Sequence, residues 1–181
     1  MAIERNISSA FIFFASVALI CMSLSGCGDG RGKEAAAPLR GDAVSGREQA
    51  VPFRIATFDN GKFSLDGVKG RPIVINFWAS WCGPCQFEAP EFRKAHAEFK
   101  DAGVVFVGVA IQDSDSDARA FVREHGWAFP VGLDTTGEIG MAYKVSGIPK
   151  TVIVGRDGFL AYSHTGVINP EVLAREIRKA L

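Results

Sequence analysis

The stretch that decides the fold is Ile75-Asn76-Phe77-Trp78-Ala79-Ser80-Trp81-Cys82-Gly83-Pro84-Cys85-Gln86-Phe87-Glu88-Ala89-Pro90. An apolar run rich in Ile and Val, residues 72–79, leads into it and predicts a buried central strand. A helix is predicted from about Pro84 to Lys100, because proline suits the first turn of a helix, where its missing N–H is not needed. Cys82 and Cys85 therefore lie one turn apart on one face of this helix, at its beginning.

Two cysteines in this position can form and open a small disulfide ring. The unsatisfied amides and the partial positive charge of a helix N-terminus stabilise a thiolate, chiefly at Cys82. Thiolates at such sites have pKa values of about 3.5–7.5, against about 8.5 for a free cysteine. The expected chemistry is exchange: Cys82 attacks the disulfide of a partner, and Cys85 resolves the mixed disulfide. Gly83 and Pro84 tune the redox potential, since they set how easily the ring forms.

Metal binding and simple crosslinking are the alternatives for this pair. A zinc site needs about four ligands. The chain has no second pair of this spacing, and His96, His125 and His164 are scattered along it, so we predict no metal and no cofactor. A structural disulfide is possible in an exported protein, but a four-residue loop restricts the unfolded chain little. A redox function for Cys82 and Cys85 is therefore favoured.

Strands and helices alternate along the rest of the chain. The predicted strands are 53–58, 62–65, 72–79, 104–109, 129–132, 151–154 and 159–163, and the predicted helices are 84–100, 115–125, 136–143 and a last one with Asn169 as its N-cap. Turn signals at 59–61 and 156–158 join two pairs of these strands as hairpins. This order predicts a single α/β domain with an N-terminal β-hairpin and a mixed central sheet with helices on both faces.

The N-terminal segment has the features of an export signal. Residues 7–24 are uncharged and mostly apolar, and small residues follow them. Leu24-Ser25-Gly26-Cys27 resembles the bacterial lipobox, whose cysteine is lipidated and becomes the new N-terminus. We therefore expect a lipoprotein signal peptide over 1–26 and a lipid on Cys27. The alternative is an uncleaved anchor helix, and either interpretation holds the rest of the chain outside the cytoplasm at a membrane.

The segment between this signal and the domain is expected to be a flexible membrane tether. Residues 27–50 are small, polar and without periodicity. As a random coil, such a segment spans roughly 25–30 Å. The folded domain is predicted to occupy 51–181. Lys and Arg together number 20, and so do Asp and Glu, so the chain lacks the basic excess of a nucleic-acid-binding protein.

The stretch 75–90 resembles the thioredoxin superfamily and, within it, the TlpA/ResA-type membrane-bound thiol–disulfide oxidoreductases. The resemblance covers roughly residues 51–181 and implies a thioredoxin-like fold. A second landmark, residues 145–151, is similar to the loop of this family whose cis proline faces the Cys-x-x-Cys motif. The resemblance implies that Pro149 is cis and that the backbone of Ile148 pairs with an extended segment of the partner. The predicted partner-binding residues are Trp81, Gly83, Pro84, Ile148 and Pro149.

Two departures from thioredoxin itself follow from this comparison. Thioredoxin carries a buried aspartate six residues before its first motif cysteine, and Asn76 occupies that position here. TlpA/ResA-type proteins often place a glutamate where this chain has Glu88, which we expect to exchange protons with the motif thiols; the alternative is an exposed residue without a role. About 38 residues separate Ala110 from Pro149, which leaves room for a helix–strand insert of the kind found in TlpA/ResA-type proteins and in peroxiredoxins.

The leading functional expectation is a disulfide reductase for exported proteins. Clients in the family include apocytochrome c, and electrons would come from a membrane thiol relay. A thiol peroxidase of the peroxiredoxin type is an alternative, although residues 77–81 lack its Pro and Thr pattern. A Cu(I) metallochaperone is another, although such members usually space their cysteines by three residues and add a distal histidine.

Aromatic residues near the motif allow two interpretations. Trp78, Trp81 and Phe87 could form a docking surface for partners, or they could pack in the core and at its rim. Trp81 adjoins Cys82, so a surface role is favoured for Trp81 alone. Trp127 and Phe129 are expected to pack in the core or the insert.

Overall fold

The structure is a computed structural model, and it describes residues 48–181. The strands are β1 (Arg54–Ala56), β2 (Lys62–Ser64), β3 (Ile73–Trp78), β4 (Val105–Ile111), β5 (Val131–Asp134), β6 (Lys150–Val154) and β7 (Leu160–Thr165). The helices are α1 (Gly83–Phe99), α2 (Asp115–His125), α3 (Glu138–Ala142) and α4 (Pro170–Ala180). β1 and β2 form an antiparallel hairpin, and the other strands form one sheet in the order β5-β4-β3-β6-β7.

Strand β3 lies at the centre of the sheet, as its uninterrupted apolar sequence predicts. It pairs in parallel with β4 and antiparallel with β6, so the sheet is mixed. All six of its residues are buried. Successive side chains of a strand point to opposite faces, so Val74 and Trp78 enter one core, while Ile75 and Phe77 enter the other.

The first core lies between the sheet and the helices α1, α2 and α4. Helix α1 contributes an inward row that includes Ala89 and Phe92, and α4 contributes Leu173 and Ile177. These side chains recur at helical spacing, which is why each helix buries one face and exposes the other. Because α1 is held along its length by this core, its N-terminus is fixed at the end of β3.

The second core lies on the opposite face and is covered by α3 and the β1–β2 hairpin. Ile55 and Phe63 of the hairpin pack there with Tyr143, which follows α3. The hairpin approaches β5 so closely that a Cβ atom at Gly132 would overlap the backbone oxygen of Ala56. The predicted thioredoxin-like architecture, with helices on both faces and an N-terminal hairpin, is confirmed.

The predicted helix–strand insert is formed by α2 and β5, which lie between β4 and α3 in the chain. Helix α2 has the predicted bounds, and Ser114 caps it by accepting a hydrogen bond from the amide of Asp117. Strand β5 begins two residues later than the predicted 129–132. Phe129 instead packs in the first core, and Pro130 has no N–H to donate to a neighbouring strand.

The N-terminal boundary of the folded part differs from the expected one. Glu48 and Ala50, assigned above to the tether, hydrogen-bond through their backbones to Leu160 and Gly158. Ala50 is also buried in the second core. The folded part therefore includes residues 48–50. The predicted signal peptide, Cys27 and the remainder of the tether lie outside the described residues.

Candidate active site

Cys82 and Cys85 form a disulfide at the beginning of α1, with their Cα atoms 5.2 Å apart. Cys82 is the N-cap of the helix, and its Sγ accepts a hydrogen bond from the amide of Cys85 at 3.2 Å. Pro84 lies in the first turn, as predicted. Cys82 is 5% exposed and Cys85 only 1%. The helix N-terminus thus directs the amide of Cys85 at Cys82, the more exposed of the two cysteines.

The loop that carries Cys82 is anchored to the segment after β4. Asp113 accepts hydrogen bonds from the amide of Ser80 at 2.6 Å and from its hydroxyl at 2.8 Å. The indole Nε1 of Trp81 donates to the carbonyl of Gln112 at 2.9 Å. Asp113 was not predicted from the sequence as a support for this loop. Its position directly after a parallel strand next to β3 was the available signal, since the carboxyl ends of such strands share one edge of the sheet.

Glu88 is buried rather than an exposed helix residue, because it is only 2% exposed. Its Oε1 accepts a hydrogen bond from Asn76 Nδ2 at 3.0 Å, and its Oε2 accepts one from the amide of Ile168 at 3.2 Å. Burial raises the pKa of Glu88 to about 7, and the two hydrogen bonds lower it only in part. Glu88 follows Cys85 by one helical turn on the same buried face.

Asn76 and Thr151 extend this buried polar cluster onto the sheet. They are directly opposite each other on β3 and β6, and both are at most 1% exposed. Among the described residues, Asn76 Oδ1 and Thr151 Oγ1 have no hydrogen-bond partner. Asn76 therefore has an unused acceptor beside the donor that it gives to Glu88. The replacement of the usual aspartate by Asn76 was evident from the sequence, but its contact with Glu88 was not.

The loop before β6 carries the predicted cis proline. The Ile148–Pro149 peptide bond is cis, as the resemblance implies. Because β6 runs antiparallel to β3 and Lys150 is opposite Phe77, Pro149 lies beside the end of β3 from which the Cys82 loop departs. The carbonyl of Pro149 accepts a hydrogen bond from the amide of Gly166 at 2.7 Å. Ile148 is half-buried.

The aromatic residues near the motif divide into buried and exposed ones. Trp78 is fully buried, and Trp127 and Phe129 are also buried, as expected. Trp81 is 60% exposed, in agreement with a surface position. Phe87 is 77% exposed, which excludes packing in the core, and the favoured surface role of Trp81 alone stays a prediction. Phe87 lies on the outward face of α1, one residue before the buried Glu88, and the reversal of facing between neighbours is expected from the helical period.

Comparison with known protein families matches residues 47–163 to the AhpC/TSA family. The chain belongs to the AhpC/TSA family. One similar protein is the thiol–disulfide oxidoreductase ResA of Bacillus subtilis. The two are 30% identical over 132 residues, which is 73% of this chain and 74% of ResA.

Solved structures agree with this assignment. A thiol:disulfide interchange protein of the thioredoxin family from Chlorobium tepidum superposes with a TM-score of 0.70 at 25% identity, covering 75% of this chain and 97% of that one. A secreted Mycobacterium tuberculosis disulfide oxidoreductase, homologous to Escherichia coli DsbE, superposes with a TM-score of 0.64 at 26% identity over 70% of this chain and 95% of that one. This AhpC/TSA-family chain is a thioredoxin-like thiol–disulfide oxidoreductase of the ResA/DsbE type.

Two further observations concern metals and membranes. Over residues 48–181, no group of three or more His, Cys, Asp or Glu side chains is arranged to hold a metal ion. Within the same described residues, no helix has the length and apolar character needed to cross a membrane.

Proposed function

We propose that the protein reduces disulfides in exported proteins while a lipid on Cys27 holds it at a membrane. The observation that carries the proposal is the disulfide at the beginning of α1 with Glu88 buried one turn behind it. The similarity to ResA and to a secreted disulfide oxidoreductase supports a position outside the cytoplasm. By the same resemblance, apocytochrome c is the proposed client, and a membrane dithiol protein is the proposed electron donor.

The reaction begins from the reduced pair. The Cys82 thiolate attacks one sulfur of the client's disulfide, that bond breaks, and the departing client thiolate takes a proton. Cys85 then loses its proton to the Glu88 carboxylate and attacks the Cys82 sulfur. The second client thiolate leaves and is protonated, and the Cys82–Cys85 disulfide forms. Two electrons have passed to the client, and the membrane dithiol returns two electrons to this disulfide in the same way.

Glu88 suits this proton transfer because of its environment. A general base works best when its pKa lies near the working pH, and burial raises the pKa of Glu88 to about 7. Cys85 is almost completely buried, so its thiol needs a nearby acceptor more than the Cys82 thiol does. The position of Glu88 one turn from Cys85 supplies that acceptor.

Asn76 can hydrogen-bond Glu88 in both of its charge states. With Nδ2 toward Glu88 it donates to the carboxylate, as observed. Rotation of the amide by half a turn would place Oδ1 there instead, where it accepts a hydrogen bond from the protonated acid. Oδ1 has no other partner in the described part of the chain. An asparagine therefore supports a proton exchange at Glu88 without adding a second titrating group.

Trapping of clients tests this function. A Cys85→Ala variant keeps the attacking sulfur but cannot resolve the mixed disulfide, so it should accumulate clients bound to Cys82 in an exporting host. The matched control, Cys82→Ala, should trap none. Recovery of cytochrome c precursors would support the proposed client, whereas a broad set of clients would indicate a general reductase.

The direction of transfer and the rival activities need a separate measurement. The proposal expects a reducing potential, and a value near about −120 mV, as in strong oxidants, would reverse it. Rapid peroxide consumption by the purified protein, or tight Cu(I) binding without thiol exchange, would replace the proposal with one of the two rival functions.

A further inference from the structure

Lys150 is a buried cation that the redox chemistry does not use. It lies in β6, which is flanked by β3 and β7, and it is only 8% exposed. Lysine is rarely buried in this way unless its ammonium group is paired. The pKa of Lys150 is lowered, with burial as the main cause, which reflects the cost of removing this charge from water. Such a cost indicates that the ammonium group has a structural partner.

The partners of Lys150 are two backbone carbonyls. Its Nζ donates to the carbonyl of Tyr143 at 2.9 Å and to that of Lys144 at 3.0 Å. These two residues directly follow α3, where the last carbonyls of a helix lack partners within the helix. The nearby acid, Glu48, pairs instead with Lys144 Nζ at 2.7 Å. The ammonium of Lys150 thus binds the end of α3 rather than a carboxylate.

This contact closes the loop that carries the cis proline. The side chain of Lys150 binds the carbonyls of Tyr143 and Lys144, which lie seven and six residues earlier in the chain. The intervening residues 145–149 therefore form a loop that this contact closes. The amide of Val145 is held by Gly140, and the carbonyl of Pro149 by Gly166. Among the described residues, Ile148 makes no backbone hydrogen bond. The loop is therefore fixed at both ends while the backbone of Ile148 is left available.

We infer that Lys150 is a positioning residue for protein substrates: it holds the 145–149 loop so that the backbone of Ile148 can pair with an extended client segment beside the disulfide. This inference rests on the proposed function, which directs the Cys82 thiolate at client proteins. A small disulfide needs only access to Cys82, whereas a protein disulfide also needs this backbone edge. Loss of the Lys150 contacts should therefore affect the two substrate classes differently.

The test compares a protein disulfide with a small one. Lys150→Met keeps the length of the side chain and removes its donors, and insulin and DTNB serve as substrates of the reduced protein. We expect the KM for insulin to rise about tenfold, with kcat, the rate constant for DTNB and the reduction potential unchanged. Lys69→Met, which removes an exposed lysine paired with Asp66, is the matched control and should change none of these values.

Other results of this test would contradict either the positioning role of Lys150 or the proposed function. Equal losses with insulin and DTNB, or no change with either, would overturn the positioning role. If the unaltered protein reduces neither substrate, the proposed function itself fails, which is a different result. Should Lys150→Met not fold, Lys150→Gln keeps an uncharged donor. In either variant the hydrogen-bonded amides at the two ends of the loop, those of Val145 and Gly166, should exchange hydrogen faster than in the parent while those of β3 do not, and unchanged exchange would contradict the inference.

Discussion

On one side of the Cys82–Cys85 disulfide is the beginning of α1, and on the other is the loop that enters β6. The α1 side brings the two sulfurs and Glu88 together within two turns of one helix. The loop side, residues 145–149, contains no acidic residue, and its geometry is held by hydrogen bonds from Lys150 and Gly166.

The difference separates chemistry from recognition. Groups on the α1 side take part in every exchange, whatever the partner, because the sulfurs of Cys82 and Cys85 form and break the disulfide bonds. The loop side, as we propose, acts only on partners that have a backbone to pair with Ile148. Substitution of the reacting groups on the α1 side, which are Cys82, Cys85 and Glu88, should therefore slow small and large substrates alike. Substitutions that loosen the loop should discriminate between them.

The largest effect is expected at Glu88. In the proposed mechanism, Glu88→Gln removes the base that accepts the Cys85 proton, and general-base contributions are about a hundredfold or more. Exchange with insulin and with DTNB at pH 8 should fall by about this factor for both. The parent's rate should rise as pH passes through about 7, where Glu88 ionises, and this step should be absent in the variant.

A neighbouring variant sharpens that prediction. Asn76→Leu leaves Glu88 in place but removes a hydrogen bond that favours its ionised form. The step in the pH profile should then move upward, by roughly half to one pH unit, because the bond to the charged form is the stronger of the two that Asn76 can make. A downward shift, or different losses for insulin and DTNB, would contradict the assignment of chemistry to the α1 side.

Glu88 also predicts how stability depends on pH. Its pKa in the folded protein, about 7, lies above its ordinary value of 4.5. The folded state therefore binds this proton more tightly, and the associated stability is fully present below pH 4.5 and lost as pH rises through 7. The loss is on the order of 3 kcal/mol. Denaturant unfolding of the oxidised protein at several pH values measures it.

The matched control for stability is the Glu88→Gln variant. Its free energy of unfolding should lack this decline between pH 4.5 and 8, whatever its absolute value. A parallel decline in the variant and the parent would assign the pH dependence to other groups and would place the pKa of Glu88 near its ordinary range.

The smallest effect is expected from the exposed aromatics beside the disulfide. Trp81→Ala removes an exposed ring next to Cys82, and a contact at the rim of an interface contributes about 1 kcal/mol, or a few-fold in KM. The KM for insulin should rise by that factor while the DTNB rate is unchanged. Phe87→Ala is the companion variant, and a larger effect there would move the centre of recognition toward α1.

Local sequence was sufficient for the elements around the motif. The apolar run before Cys82 predicted β3, Pro84 marked the helix beginning, and Asn169 was correctly identified as the cap of α4. Each of these depends on residues within a few positions of one another. The predicted beginning of β5 was wrong by two residues, because the pairing with β4 starts at Val131 and Pro130 before it has no N–H to donate.

The burial of Glu88 and of Lys150 could not be predicted from neighbouring residues in the sequence. A glutamate in a helix and a lysine beside a proline are ordinarily exposed, and nothing adjacent to Glu88 in the sequence indicates that the amide of Ile168 will cover it. The single available signal at Lys150 was a charged residue at the edge of an apolar run. Resemblance to a family identified the position of Glu88 but not the hydrogen bonds that define its chemistry.

The sequence by itself determined the redox pair, its place at a helix N-terminus and the order of strands and helices, because spacing and periodicity encode these directly. Only the tertiary structure decided that Glu88 is buried with a pKa near 7 and that Lys150 holds the cis-proline loop. Desolvation and long-range hydrogen bonds produce both properties. One contact of Glu88 comes from a residue 80 positions away in the chain, and no local pattern contains that information.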